Sequence, residues 1–100
     1  MPDTGDKITI GNVNHPDHSE RVDRAKYMAM HDALMTILPS EPPGLTVAQA
    51  KDALLPHLSQ ELFPGGDKAG WWLKAVQLDQ EARNTIRRAA GSPVRLYRLT

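Results

Sequence analysis

The sequence predicts a single α+β domain, with three helices between an N-terminal strand or hairpin and a C-terminal β-hairpin. Residues 24–38 and 68–85 carry apolar side chains at helical spacing, and residues 47–58 open with a strong helix-capping pattern. Short segments near both ends alternate apolar and polar residues and contain turn-forming residues. One hundred residues without cysteine suffice for a single hydrophobic core that needs no disulfide.

The N-terminal part of the chain predicts a short hairpin. Residues 1–6 are small, polar and acidic, and we expect them to be disordered, with the domain spanning residues 7–100. Residues 7–13 alternate enough to predict a strand, and the turn chemistry of residues 14–17 precedes a return segment at residues 19–22. Two strands alone are marginally stable, so this hairpin needs a helix to pack against.

Two helices follow, each with recognisable ends. Asp23 is the expected N-cap of the first, which runs to residue 38 and stops at the following proline. Thr46 and Gln49 form a predicted capping box at the start of the second helix, and Pro56 is expected to kink or end that helix near residue 55. The first helix has an apolar stripe that predicts core packing. The stripe consists of Tyr27, His31, Leu34 and Leu38.

The third helix, residues 68–85, contains both tryptophans and is expected to be capped by Asp67. At about 100° per residue, one stripe of this helix is predicted to face the core. Its members are Trp71, Ala75, Leu78, Ala82 and Ile86. The other side carries Trp72, Leu73, Val76, Gln77, Gln80, Arg83 and Asn84. Two interpretations of that side stay open: another element of the same chain covers its apolar members, or it binds a partner.

After residue 85 the spacing of the apolar residues changes from that of a helix to that of a strand. Residues 86–90 and 94–99 predict two strands around a Gly91-Ser92-Pro93 turn. An N-terminal strand or hairpin, three helices and a C-terminal hairpin is the element order of a winged helix-turn-helix domain. We therefore expect a winged-helix-like fold.

The charges are balanced overall and divided unevenly along the chain. Twelve basic and twelve acidic residues give a net charge of zero, so no global attraction to phosphate is expected. Residues 1–81 hold all twelve acids and seven bases, a net charge of −5, whereas residues 82–100 hold five arginines and no acid. Arginine suits bidentate contacts to phosphate or carboxylate. The arginines therefore either bind an anionic partner or pair with the acidic remainder of the domain.

Catalytic and metal chemistry find little support in the sequence. The His15-Pro16-Asp17-His18 turn has too few ligands for a tight metal site, and residues 65–70 lack the spacing of a phosphate loop. Asp79 and Glu81, two residues apart on a helix, point in different directions and make no acid/base pair. We expect no catalytic residues, no metal, no cofactor and no small-molecule substrate. With no signal segment or membrane span expected, a cytoplasmic location is predicted.

Three stretches of the chain resemble a known family: GWWLKAVQLDQEA at residues 70–82, FPGG at 63–66 and VDRAKYMAM at 22–30. The sequence is similar to a family of small bacterial proteins known only as a domain of unknown function, and the likeness covers nearly the whole chain. The resemblance implies a winged-helix-like fold. In such a fold the third helix would be the recognition helix and the C-terminal hairpin the wing.

The functional hypothesis that follows is weak binding of nucleic acid, with DNA as the expected partner. The residues expected to make the contacts are Gln77, Gln80, Arg83 and Asn84 on the third helix and Arg87, Arg88, Arg95 and Arg98 on the wing. The alternative is a protein-interaction module that self-associates, for example as a homodimer, without binding nucleic acid. That module would use the apolar side chains of Trp72, Leu73 and Val76.

Overall fold

A computed structural model of the chain describes residues 7–99. The helices are α1 (Arg24–Ile37), α2 (Val47–Leu54) and α3 (Ala69–Ala82), and the strands are β1 (Lys7–Ile10), β2 (Glu20–Asp23), β3 (Leu45–Thr46), β4 (Ile86–Arg88) and β5 (Arg95–Arg98). The predicted α+β architecture, with three helices and strands at both ends, is confirmed. It is compatible with a winged-helix-like layout. The predicted disorder of residues 1–6 lies outside the described residues.

The strands form two small antiparallel sheets. Strands β1 and β2 pair as the predicted N-terminal hairpin, and β4 and β5 pair as the predicted C-terminal one. Strand β3 adds to the second sheet, which has the order β3-β5-β4. This third strand was not expected, because two residues are too few to show an alternating pattern.

The helix boundaries confirm most of the predicted caps. The carboxylate of Asp23 accepts a hydrogen bond from the Lys26 amide at 3.0 Å, and Thr46 and Gln49 form the reciprocal capping box. Helix α2 ends before Pro56, in a single 3-10 turn at Leu55–His57. The predicted Asp67 cap of α3 is wrong. Lys68 occupies the N-cap position with φ of 60°, so Asp67 lies one residue too early to reach the free amides of the helix.

Helix α3 turns toward the core the side opposite the predicted one, and of the predicted stripe only Leu78, together with Ile86 on β4, is buried. Trp72, Leu73 and Val76 are buried in the core against α1, whereas Trp71 is 52% exposed and Ala82 is exposed. The interpretation in which the same chain covers Trp72 and Val76 is therefore confirmed. Their expected role as an exposed partner surface is wrong.

The reason for the reversal lies in two glutamines. Gln77 and Gln80 made the buried side look too polar for a core, but both side chains find hydrogen-bond partners inside the domain. A buried amide with its hydrogen bonds satisfied carries a small net cost. Of the all-apolar stripe that was predicted to face the core, Trp71 and Ala82 are therefore exposed and Ala75 is only partly buried.

Candidate nucleic-acid interface

The C-terminal sheet has one face toward the core and one toward solvent. Ile86 and Leu96 are buried on the inner face. Arg87 lies directly opposite Tyr97 in the β4-β5 register, and Arg95 precedes Tyr97 by two residues on β5. Residues opposite each other, and residues two apart on a strand, share a face. Arg87, Arg95 and Tyr97 therefore lie together on the side away from the core, which we call the outer sheet face.

A close approach of the chain holds this sheet together. Gly44 has φ of 81°, and a Cβ atom at this position would lie 1.9 Å from the carbonyl oxygen of Leu96. Only glycine fits a backbone that is both left-handed and this close to a neighbouring strand. The contact places Leu45 opposite Leu96 and Thr46 opposite Arg95, which forms β3. It thereby makes β5 the central strand beneath the outer sheet face.

The other arginines of the C-terminal segment are held by groups of the domain itself. The Nε of Arg83 donates to Asp79 Oδ2 at 2.9 Å, and the Nε of Arg88 donates to Glu81 Oε1 at 2.7 Å. The Nε of Arg98 donates to the backbone carbonyl of Leu38 at 2.9 Å. Pairing with the acidic remainder is thus confirmed for Arg83 and Arg88.

Arg87 and Arg95 differ from these three. Within residues 7–99 neither of them forms an ion pair. Arg87 is exposed and Arg95 is half-buried, as is Tyr97 beside them. The two guanidinium groups are therefore left to solvent or to a ligand at the outer sheet face.

The residues predicted to read bases from α3 are not arranged to do so. Gln80 donates to the Tyr27 hydroxyl at 2.6 Å and accepts from the Thr85 hydroxyl, and Gln77 donates to Glu81 Oε2 at 2.9 Å. Both glutamines are buried, so the expectation that they face solvent is wrong.

The last two predicted members of the recognition helix lie beyond its end. Helix α3 stops at Ala82, with Arg83 as its C-cap. Asn84 follows with φ of 64°, a left-handed conformation that often terminates helices and that asparagine tolerates. Asn84 is exposed, but it stands in the turn to β4 and shares no helical face with Gln77 or Gln80.

A buried polar network around Asp79 explains why Gln80 points inward, because the Tyr27 hydroxyl that accepts from Gln80 belongs to it. Asp79, only 1% exposed, accepts hydrogen bonds from the Tyr27 hydroxyl, from the Gly11 amide at 2.8 Å and from Arg83. Burial, followed by the hydrogen bond to Asp79, raises the pKa of Tyr27 above its ordinary value. The same carboxylate raises the pKa of Arg83 through its hydrogen bond. Arg83 is thus the ion-pair partner of the buried Asp79 carboxylate.

The outward side of α3 carries a feature that the sequence interpretation missed. Trp71 stands at the rim of an open groove of about 240 Å³ between α3 and the N-terminal hairpin. The groove is lined by apolar and polar side chains from α3 and the N-terminal hairpin. Its lining includes Ile10, Ala75 and Leu78, with Asn12, His18, Glu20 and Lys74 among the polar members. The apolar stripe that predicted a core face was the signal, and three of its members, Trp71, Ala75 and Leu78, line this groove.

Residues 7–99 contain no cluster of three His, Asp or Glu side chains placed to hold a metal ion, and the loop with His15 and His18 is exposed. None of the helices in this range is long and apolar enough to cross a membrane.

Comparison with known proteins gives a family. No curated protein and no solved structure matches the chain. The model of a family described as "Family of unknown function (DUF6958)" matches residues 7–96, which include all three stretches that suggested a family resemblance. Since the match spans most of the chain, this protein belongs to that family of unknown function.

Proposed function

We propose that this protein binds single-stranded nucleic acid through the outer sheet face, weakly and with little sequence preference. The observation that carries the proposal is the placement of an aromatic ring, Tyr97, beside two arginines on the outer sheet face: Arg87 lies directly across from it on β4, and Arg95 two residues before it on β5. Proteins that bind single strands combine positive charge along the backbone with aromatic rings on which bases stack.

The electrostatics of the segment support a phosphate ligand. Residues 82–100 contain no acidic residue, and Arg87 and Arg95 have no ion-pair partner within the described chain. Their guanidinium groups can therefore bind phosphate without first breaking an internal salt bridge. The remainder of the chain, with its net charge of −5, opposes binding of a long polyanion and limits the affinity.

A single strand suits the surface better than a duplex. Reading a duplex requires an element that enters a groove and presents polar side chains to base edges. The glutamines expected to do this are buried. A sheet face with one aromatic ring instead offers a platform for an unpaired base, with two neighbouring guanidinium groups for the adjoining phosphates.

Fluorescence anisotropy with a labelled mixed-sequence single strand and the matching duplex tests the proposal. Contacts to two phosphates predict a slope of log affinity against log salt of about −1.4, so affinity should fall ~7-fold between about 50 and 200 mM salt. Changing Arg87→Ala and Arg95→Ala together should flatten the slope. Tyr97→Ala should lower the affinity at every salt concentration and leave the slope unchanged.

The N-terminal hairpin provides a matched control. Lys7 and Arg21 share an exposed face of the β1-β2 pair, so Lys7→Ala with Arg21→Ala also removes two charges from a small sheet. This control should retain the wild-type salt slope. Absence of binding at low salt, or equal losses in the two double variants, would overturn the proposal.

A further inference from the structure

We infer that the groove beside Trp71 is a self-association surface, in which Trp71 of one copy enters the groove of a second copy. The inference is independent of nucleic-acid binding, since it uses other residues. Trp71 is 52% exposed and packs edge-on against Trp72, with ring centroids 5.0 Å apart. A large aromatic side chain at the rim of an apolar recess is the usual anchor of a protein interface.

The shape of this surface is suited to a second copy of the same chain. In a two-fold symmetric interface the same patch must supply both the projecting group and the recess that receives it. Trp71 provides the projection, and the walls formed by Ile10, Ala75 and Leu78 provide the recess beside it. One patch therefore contains both halves of the contact.

The charges around the groove point to the same partner. Lys74 and Glu20 both line it, and within residues 7–99 neither forms an ion pair. Across a two-fold axis, Lys74 of each copy can face Glu20 of the other. A uniformly acidic partner would meet Glu20, and a uniformly basic one would meet Lys74, so a partner with both charges is favoured.

Sedimentation velocity over a low to high micromolar concentration series, at low salt, tests the inference. The wild-type protein should shift from monomer to dimer, with a blue shift of tryptophan emission as Trp71 leaves water. Trp71→Ala should weaken dimerisation by ~30-fold or more. Met28→Ala, which alters an exposed apolar side chain on α1, should leave dimerisation unchanged.

A charge exchange keeps the test valid even if the tryptophan variant is unstable. Lys74→Glu and Glu20→Lys should each weaken the dimer, because each places like charges opposite one another. The double variant, with both charges exchanged, should restore dimerisation to within a few fold of wild type. A protein that stays monomeric throughout the series, or a double variant no better than the single ones, would overturn the inference. Binding of a peptide or small ligand by a strict monomer would assign the groove to that other occupant.

Discussion

At the scale of single residues, Asp79 shows how the domain accommodates a buried charge. Its carboxylate receives three donors, one each from α1, from the loop after β1 and from the C-terminal end of α3. A buried carboxylate is costly unless it is paired and hydrogen-bonded, and here all three donors supply that compensation. Two of these bonds, from Gly11 and from Tyr27, attach the N-terminal hairpin and α1 to α3.

The Tyr27 hydroxyl in this network predicts an alkaline loss of stability. Its pKa is raised in the folded protein, first by burial and then by the Asp79 hydrogen bond, above the ordinary value of 10.0. A raised folded-state pKa means that the stabilisation is complete at neutral pH and declines once pH exceeds the unfolded value. Urea unfolding should therefore show a free energy of unfolding that falls above pH ~10, by up to ~1.4 kcal/mol per pH unit.

Tyr27→Phe provides the comparison, because it removes the titrating group and keeps the ring. The variant should be less stable at neutral pH and should lose less of its remaining stability above pH ~10. If the two proteins lost stability in parallel at alkaline pH, the ionisation of Tyr27 could not be the cause.

At the scale of secondary-structure elements, local sequence signals predicted which helices exist and where they end better than they predicted which helix face is buried. The Asp23 cap, the Thr46 capping box and the end of α2 before Pro56 are confirmed, because each depends on a few neighbouring residues. The buried face of α3 could not be read this way. It depends on whether the polar side chains of that face find partners: Gln77 finds one within α3, at Glu81, but Gln80 finds its partner Tyr27 on α1, which periodicity cannot show.

The candidate site was also predictable only in part, because the sequence indicated its strands but not the contacts between them. Arg87 and Arg95 were expected on the hairpin and do lie on its outer face, although their role remains a prediction. The internal pairing of Arg83 and Arg88 depends on tertiary contacts with α3. Tyr97 was missed because only the strand register places it opposite Arg87.

Gly44 offers a test at this scale, since it determines whether β3 can join the sheet. Gly44→Ala should lower the free energy of unfolding by about 3 kcal/mol or more, combining a strained positive φ with a backbone clash at Leu96. Gly91→Ala is the matched control. Its φ of 97° is also strained, but an added Cβ would meet nothing within 4 Å.

The free energy of unfolding of Gly91→Ala should therefore fall only by the cost of the strained backbone, about 1 kcal/mol. Chemical denaturation of both variants gives the comparison. Equal losses in the two proteins would show that the close approach of Gly44 to β5 contributes nothing to stability.

At the scale of the whole molecule, the two proposed surfaces share no residue. The outer sheet face belongs to β4 and β5, whereas the groove lies between α3 and the N-terminal hairpin. The charge distribution separates them too. The C-terminal segment is purely basic, but the groove carries Lys74 and Glu20 together. Variants of Trp71 should consequently leave nucleic-acid binding at the outer sheet face intact. Variants of Arg87 and Arg95 should leave dimerisation through the groove intact.

The central claim concerns where nucleic acid binds, and an NMR titration addresses it most directly. Adding a short mixed-sequence single strand to 15N-labelled protein at low salt should shift the amide signals of residues 86–88 and 95–98. The signals of the buried glutamines, Gln77 and Gln80, should stay in place. Shifts confined to the groove around Trp71, or no shifts at saturating oligonucleotide, would contradict the assignment of the outer sheet face as a nucleic-acid interface.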